Sequence, residues 1–199
     1  MIPVNHVPEP KDFDVEARKP GLAWSKKNPT AARPKDYWSK FKFALADGFG
    51  QRCGYSAMYE PNGSVDHFIS CKNNMGLAYE WNNYRYAQEW LNKSKQTVDS
   101  EILDPYEVQD GWFEIRLPSL QLHVTDKVPP ADRVRAEYTL IRLHLRDDER
   151  ILRQRREWYR MYQAGEISLV GLRKKAPLIA AAVEKQRVEQ MGRDTQGNS

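Results

Sequence analysis

The sequence predicts an α+β fold. Three observations point there: hairpin-like segments at 51–69 and 112–124, and apolar residues at helical spacing from Pro130 onward. Residues 1–35 are rich in Pro, Lys and Asp, with little beyond Leu22 and Trp24 to pack, and read as an extended N-terminal arm that is laid over the domain or partly disordered. Trp38, Phe41 and Leu45 then form the stripe of a short helix over Tyr37–Ala46, ended by Asp47-Gly48.

The first hairpin is expected to run out along Arg52–Tyr59, turn at Pro61-Asn62-Gly63 and return along Ser64–Ile69. After a polar loop at Lys72–Gly76, a helix is expected from Tyr84 to about Lys93. Tyr84, Ala87 and Leu91 fall on its buried side, with Arg85, Gln88, Glu89 and Asn92 opposite. A second hairpin follows, in which Phe113, Ile115 and Leu117, then Leu120, Leu122 and Val124, alternate with polar residues. Pro130 opens a helix whose stripe reads Val134, Tyr138, Ile141 and Leu145. Asp147-Asp148 open another, closed by Gly165, and shorter helices follow near 168–175 and 177–190. The expected organisation is thus an arm (1–35), a core (36–128), a helical C-terminal extension (129–192) and a disordered tail (193–199).

No apolar run approaches the ~20 residues of a membrane span. The N-terminus lacks the basic head and apolar body of a secretory signal. With Cys53 and Cys71 read as reduced thiols, a cytoplasmic protein without membrane attachment is expected. The net charge of +4 is unevenly placed: residues 1–130 carry −1 and residues 131–199 carry +5. Arg153, Arg156 and Arg160 share one helix face, which suits either a phosphate backbone or a solvated surface paired with Glu149 and Glu157.

The chemistry-bearing residues lie between 65 and 95. An apolar run delivers Asp66 beside His67, Trp81-Asn82-Asn83 follows, and Asn92 and Lys95 close the segment. A carboxylate and an amide oxygen can hold a hard divalent cation, and an adjacent imidazole can accept a proton from water. Taken singly, Asp66-His67 reads as a surface pair, Asn83 as a helix N-cap, Asn92 as a solvated helix residue and Lys95 as an exposed charge. Neighbours on a regular strand point to opposite faces, so Asp66 and His67 can serve one site only where the strand bends or ends.

In order and spacing these residues resemble the HNH endonuclease family over about residues 45 to 105. The resemblance implies a ββα-metal core, here with a second hairpin and a C-terminal helical extension. It implies His67 as general base, Asn83 as the residue orienting loop or imidazole, and Asp66 and Asn92 as ligands of Mg²⁺ (or Mn²⁺). Arg85 and Lys95, with the Arg153, Arg156 and Arg160 stripe, are the candidate contacts to nucleic acid. Many relatives bind zinc through two CxxC pairs. Here the first falls at Cys53 and Ser56 and the second at Gln88 and Leu91, so the core is expected to be zinc-less, since a structural site needs four ligands. The length and flanks also resemble small HNH proteins found beside ATPases in bacterial anti-phage systems. The expected activity is Mg²⁺-dependent cleavage of DNA, and a toxin-like variant of this reading has a partner ATPase that docks on the C-terminal helices. The alternative is a catalytically silent nucleic-acid-binding or adaptor subunit on the same fold.

Overall fold

The computed structural model describes residues 1–196 and has the α+β architecture expected: two separate antiparallel sheets of two strands each, surrounded by helices. No helix among the described residues is long and apolar enough to cross a membrane.

The N-terminal segment is not an arm. A π-helical turn at Asp14–Arg18 runs directly into α1 (Lys19–Lys27). Phe13 and Ala17, both fully buried, enter a second core formed with Phe41, Leu45, Trp81 and Tyr84. Phe13 meets the Phe41 and Trp81 rings edge-on at 5.1 Å each. At Gly21 a Cβ would lie 2.4 Å from the Tyr79 ring, so only glycine lets α1 come this close. The composition of 1–35 concealed this because the few apolar residues are spaced widely and several, Val15 and Leu22 among them, stay exposed, whereas Phe13 and Ala17 are completely desolvated. The helix predicted over Tyr37–Ala46 forms as a 3₁₀ turn at Ser39–Phe41, preceded by Asp36 accepting from Trp38 N and Ser39 N, and α2 (Lys42–Gly48), which buries Leu45.

The strand carrying the candidate site, β1 (Ser64–His67), forms where expected, but its partner differs. It pairs antiparallel with β2 (Tyr84–Ala87), setting Asp66 opposite Arg85 and His67 opposite Tyr84. Residues 52–59 contribute only one isolated bridge, Arg52 to Tyr59. They curl instead into a tight knuckle in which Met58 O accepts from Cys53 N (3.0 Å) and Cys53 O from Ala57 N (2.9 Å). The helix predicted from Tyr84 therefore begins later, as α3 (Glu89–Lys95). Tyr84-Arg85-Tyr86 has the β propensity of aromatic residues and, being buried on both faces, lacks the exposed positions that would have marked it as a strand.

The second hairpin is as predicted: β3 (Phe113–Arg116) pairs with β4 (Gln121–Val124) and buries Phe113, Ile115 and Leu122. Helix α4 (Pro130–Arg142) packs on β4 through a face different from the predicted one. Ala136, Thr139 and Leu140 are buried, whereas Val134 is 78 % and Ile141 64 % exposed. A polar contact decides the rotation: Thr139 Oγ1 accepts from Leu103 N at 2.8 Å, which a pattern of apolar residues cannot reveal. Helices α5 (Glu149–Gln163), α6 (Leu169–Lys175) and α7 (Pro177–Gln196) follow. Helix α7 continues past Gly192, where a tail was expected, to Gln196; the rest of that predicted tail, 197–199, lies outside the described residues. Ile151, Leu172, Ile179 and Val183 belong to the same core as Tyr55, Leu91 and Leu122, so the C-terminal helices are built into the molecule. Buried Arg155 fastens them to the second hairpin by donating to Leu120 O (3.0 Å), Leu145 O (2.7 Å) and Arg146 O (3.1 Å).

Because Phe13 is part of a packed aromatic cluster, Phe13→Ala should destabilise the chain by about 3–5 kcal/mol in urea unfolding. A loosely attached arm would instead give an unchanged midpoint.

Candidate active site

Strand β1 ends at His67, and its last two residues border a cleft of about 590 Å³ together with Asn92 from α3. Arg33 and Trp38 enter from the N-terminal segment, and Lys72 from the loop after β1. The alternation of the strand persists to its end. Asp66 turns towards α3 and Tyr55, while His67 turns towards Trp38 and Tyr84. Both still reach the cleft because the strand stops there.

The imidazole of His67 is tightly held. Its Nε2 lies 2.9 Å from Ala78 O, and a carbonyl only accepts, so Nε2 carries the proton and Nδ1 the lone pair. Trp38 and Tyr84 meet the ring edge-on at 4.6 and 4.9 Å. The Tyr84 hydroxyl donates to the same Ala78 carbonyl at 2.7 Å, using its second lone pair. Burial pushes the His67 pKa below its ordinary value and Lys95 adds to this, against the raising influence of the Ala78 bond and of Asp66. The ring is therefore neutral at physiological pH, the state that a proton acceptor requires.

Asn83 acts on the loop and does not touch the imidazole. Its Oδ1 accepts from Ile69 N (2.7 Å), and its Nδ2 donates to Ile69 O (2.9 Å) and Leu77 O (3.2 Å). It thus clasps the two ends of the loop between β1 and β2. The helix N-cap predicted for it does not occur, since α3 starts after Gln88, without a side-chain cap.

Asp66 is 2 % exposed, and both its oxygens have partners. The Tyr55 hydroxyl donates to Oδ2 at 2.5 Å, and Lys95 Nζ lies 3.3 Å from Oδ1. Burial, with Asp66's charge second, pushes the Tyr55 phenol well above its usual range, so it remains a donor. Asn92 donates from Nδ2 to Ser64 Oγ (3.1 Å) and Val65 O (3.2 Å), which leaves Oδ1 for the cleft. Ser64 and Asp66 share one face of β1, so Asp66 and Asn92 border the cleft from the same side. Among the described residues no three His, Cys, Asp or Glu side chains converge as a metal-holding group.

The five basic residues proposed from sequence to hold nucleic acid are placed differently. Arg85 is buried, forms a bidentate ion pair with Asp104, donates to Asn82 O and Tyr84 O, and lies 3.8 Å over the Tyr106 ring. It is a structural cation and cannot reach a phosphate. Lys95 is 1 % exposed and donates to His67 O at 2.9 Å besides facing Asp66 and Asp99. On α5, Arg156 pairs with Glu149 (2.7 Å) and Arg160 with Glu157 (2.8 Å) and Glu166 (2.7 Å), while Arg153 is exposed. Three arginines against three glutamates leave that face without net charge. Contacts that sequence reasoning missed are Tyr55, Trp38 and Ala78 O. Only their aromatic character signalled the first two, and a backbone carbonyl has no signature in sequence.

Two other features bear on chemistry. Burial raises the Cys71 thiol, which also lines the cleft, to about 11, so it is protonated at neutral pH and a poor nucleophile. Cys53 is buried and its sulfur accepts from Gln88 N at 3.3 Å and Ser56 N at 3.5 Å. No family model, curated protein or solved structure matches this chain.

Two measurements check this description. NMR titration should place the His67 midpoint below 6.5, the ordinary imidazole value. The unfolded chain takes up this proton near 6.5 and the folded chain only at lower pH, so acidification through that window should lower stability; a midpoint above 6.5 would contradict the buried, neutral ring. Lys95→Met should destabilise by about 3–5 kcal/mol, because it leaves the Asp66 carboxylate buried without its cation. A loss below ~1 kcal/mol would mark Lys95 as a surface charge.

Proposed function

We propose that this chain is an HNH-type endonuclease that hydrolyses phosphodiester bonds in DNA with the help of Mg²⁺ or Mn²⁺. The observation that carries this reading is the meeting of Asp66, His67 and Asn92 at one cleft, on a strand–loop–strand–helix segment whose loop is clasped by Asn83. The knuckle at Cys53 adds support. Cys53, Ser56 and Gln88, three positions where zinc-binding relatives carry cysteine, are drawn together here by hydrogen bonds to sulfur.

The donor set fits a hard cation. Asp66 offers a carboxylate and Asn92 an amide oxygen that its own hydrogen bonds leave over, and Mg²⁺ keeps several waters alongside one or two carboxylates and substrate oxygens. Bound there, such a cation supplies charge neutralisation to the phosphoryl oxygens and to the departing alkoxide. The protein's own part centres on His67. With Nε2–H committed to Ala78 O, its Nδ1 takes the proton from the attacking water, and its lowered pKa keeps that nitrogen unprotonated. Trp38 and Tyr84 hold the ring plane, and Asn83 fixes the loop that presents Ala78.

One observation favours the silent nucleic-acid-binding reading instead: both oxygens of Asp66 already have partners in Tyr55 and Lys95. Plasmid nicking at varied Mg²⁺ separates the two. The nuclease reading expects metal-dependent nicking that falls by about 10²–10⁴ in His67→Ala, and a higher Mg²⁺ requirement in Asn92→Ala. Nicking absent from the wild type, or undiminished in His67→Ala, would leave the binding reading.

A further inference from the structure

We infer that the substrate strand lies in a basic trench formed by the N-terminal segment and the loop after β1, gripped by Arg33, Lys42 and Lys72, and not on the arginine stripe of α5. This inference rests on the proposed nuclease site for the scissile position, and its own content is the path of a phosphodiester backbone across that site. The cleft at Asp66, His67 and Asn92 adjoins a second depression of about 650 Å³. The two share Arg33, Trp38, Val65 and Asn92 as common walls. Lys72 stands in the first and Lys42 in the second, and Arg33 stands where they join.

The charge balance in this trench differs from that on α5. Its carboxylates are already engaged. Asp66 faces Lys95 at 3.3 Å, and Glu89 is paired with Lys93 at 2.6 Å. Asp36 accepts from Trp38 N (3.1 Å) and from the Ser39 backbone N–H (2.9 Å) and hydroxyl (2.5 Å). Arg33, Lys42 and Lys72 have no ion pair with a carboxylate among the described residues, and Arg33 and Lys72 are exposed. Arg33, Lys42 and Lys72 therefore face only the charge of Asp36, a net of two positive charges along a channel that passes the candidate catalytic groups, whereas on α5 Arg156 and Arg160 are paired with Glu149, Glu157 and Glu166 and Arg153 lies near Glu149. Phosphate contacts supply most of the affinity for a nucleic-acid backbone and release counterions as they form, so unpaired cations are the ones that count. Trp38 adds an apolar surface at the trench wall beside His67. The N-terminal segment is thus part of the binding surface, contributing Arg33 and Trp38, and its anchoring through Phe13 and Gly21 gives that wall a fixed position.

The test measures binding of a fluorescein-labelled DNA duplex, and of one of its single strands, by anisotropy across a salt series in EDTA, so that metal-dependent cleavage does not intervene. Arg33→Gln/Lys42→Gln/Lys72→Gln should reduce the magnitude of the log–log salt slope by about 0.9 per lost contact on duplex, or about 0.7 on single strand. Arg153→Gln/Arg156→Gln/Arg160→Gln should leave the slope as in the wild type. Unchanged thermal midpoints confirm that both variants are folded, and single-residue versions replace any variant that is not. The reverse pattern, with the slope lost on α5 and kept in the trench, overturns the inference; so does a wild type that binds neither probe at low salt. Slope loss in the trench variant together with no metal-dependent nicking would sustain the trench and sink the nuclease reading. Nicking with an unchanged slope would sink the trench alone.

Discussion

The carboxamide of Asn83 is the contact on which the candidate site depends. The connection between β1 and β2 is long, and a loop of that length costs conformational entropy to order. Asn83 closes it from one side chain, with one bond accepted from Ile69 N and two donated to Ile69 O and Leu77 O. A backbone bond from Phe68 N to Asn83 O, 2.8 Å, shuts the same end. Ala78 follows directly after Leu77, and its carbonyl fixes the tautomer of His67 and also receives the Tyr84 hydroxyl. A carboxamide is suited to this because it donates and accepts on one plane. Aspartate would only accept, and the carbonyls of Ile69 and Leu77 would then lose their donors.

The wall opposite α3 depends on a different constraint, aromatic packing. Phe13, Phe41, Trp81 and Tyr84 meet edge-on, the arrangement that the ring quadrupole favours. Trp81 also donates from its indole N–H to Val7 O at 2.8 Å, and Tyr79 donates from its hydroxyl to Lys35 O at 2.9 Å. These bonds tie the first 35 residues to the loop that carries Ala78. Displacing the N-terminal segment would therefore disturb His67 from two directions, through Trp38 and through the loop.

Much of this was legible in the sequence where one residue type carries one meaning. Strand β1, the second hairpin, the cap at Asp148 and the stop at Gly165 were readable from alternation, capping chemistry and the need for positive φ. Asp66, His67 and Asn92, singled out by order and spacing, line one cleft. What was not legible depends on partners distant in sequence. Tyr84–Ala87 looked like a helical start because Tyr84, Ala87 and Leu91 fit a 3.6 period, and nothing local marks a strand buried on both faces. Arg85 and Lys95 looked like surface cations because the carboxylates that bury them, Asp104 and Asp66, stand 19 and 29 positions away. The glutamates that neutralise the α5 stripe were visible at Glu149 and Glu157, but Glu166 joins them only after the chain turns at Gly165.

The buried pair of Asp66 and Lys95 makes the site's electrostatics interdependent. An uncompensated carboxylate in this position would be costly, so the ammonium stabilises Asp66 when no other cation is near. Lys95 Nζ is also bonded to His67 O and lies 3.7 Å from Asp99, whose Oδ2 accepts from Asn73 in the loop. One ammonium therefore joins the end of β1, the end of α3 and the connecting loop. The next residue, Gln96, has φ 54° and ψ −112°, a combination that side chains disfavour, and it lines the cleft. Helix α3 thus ends under strain at the point where its lysine turns inward. A second positive charge near Asp66 would face Lys95 across the same carboxylate, and like charges in a poorly hydrated setting repel strongly. A divalent cation at Asp66, as the proposed function requires, would therefore compete with Lys95, which Asp99 and His67 O also hold.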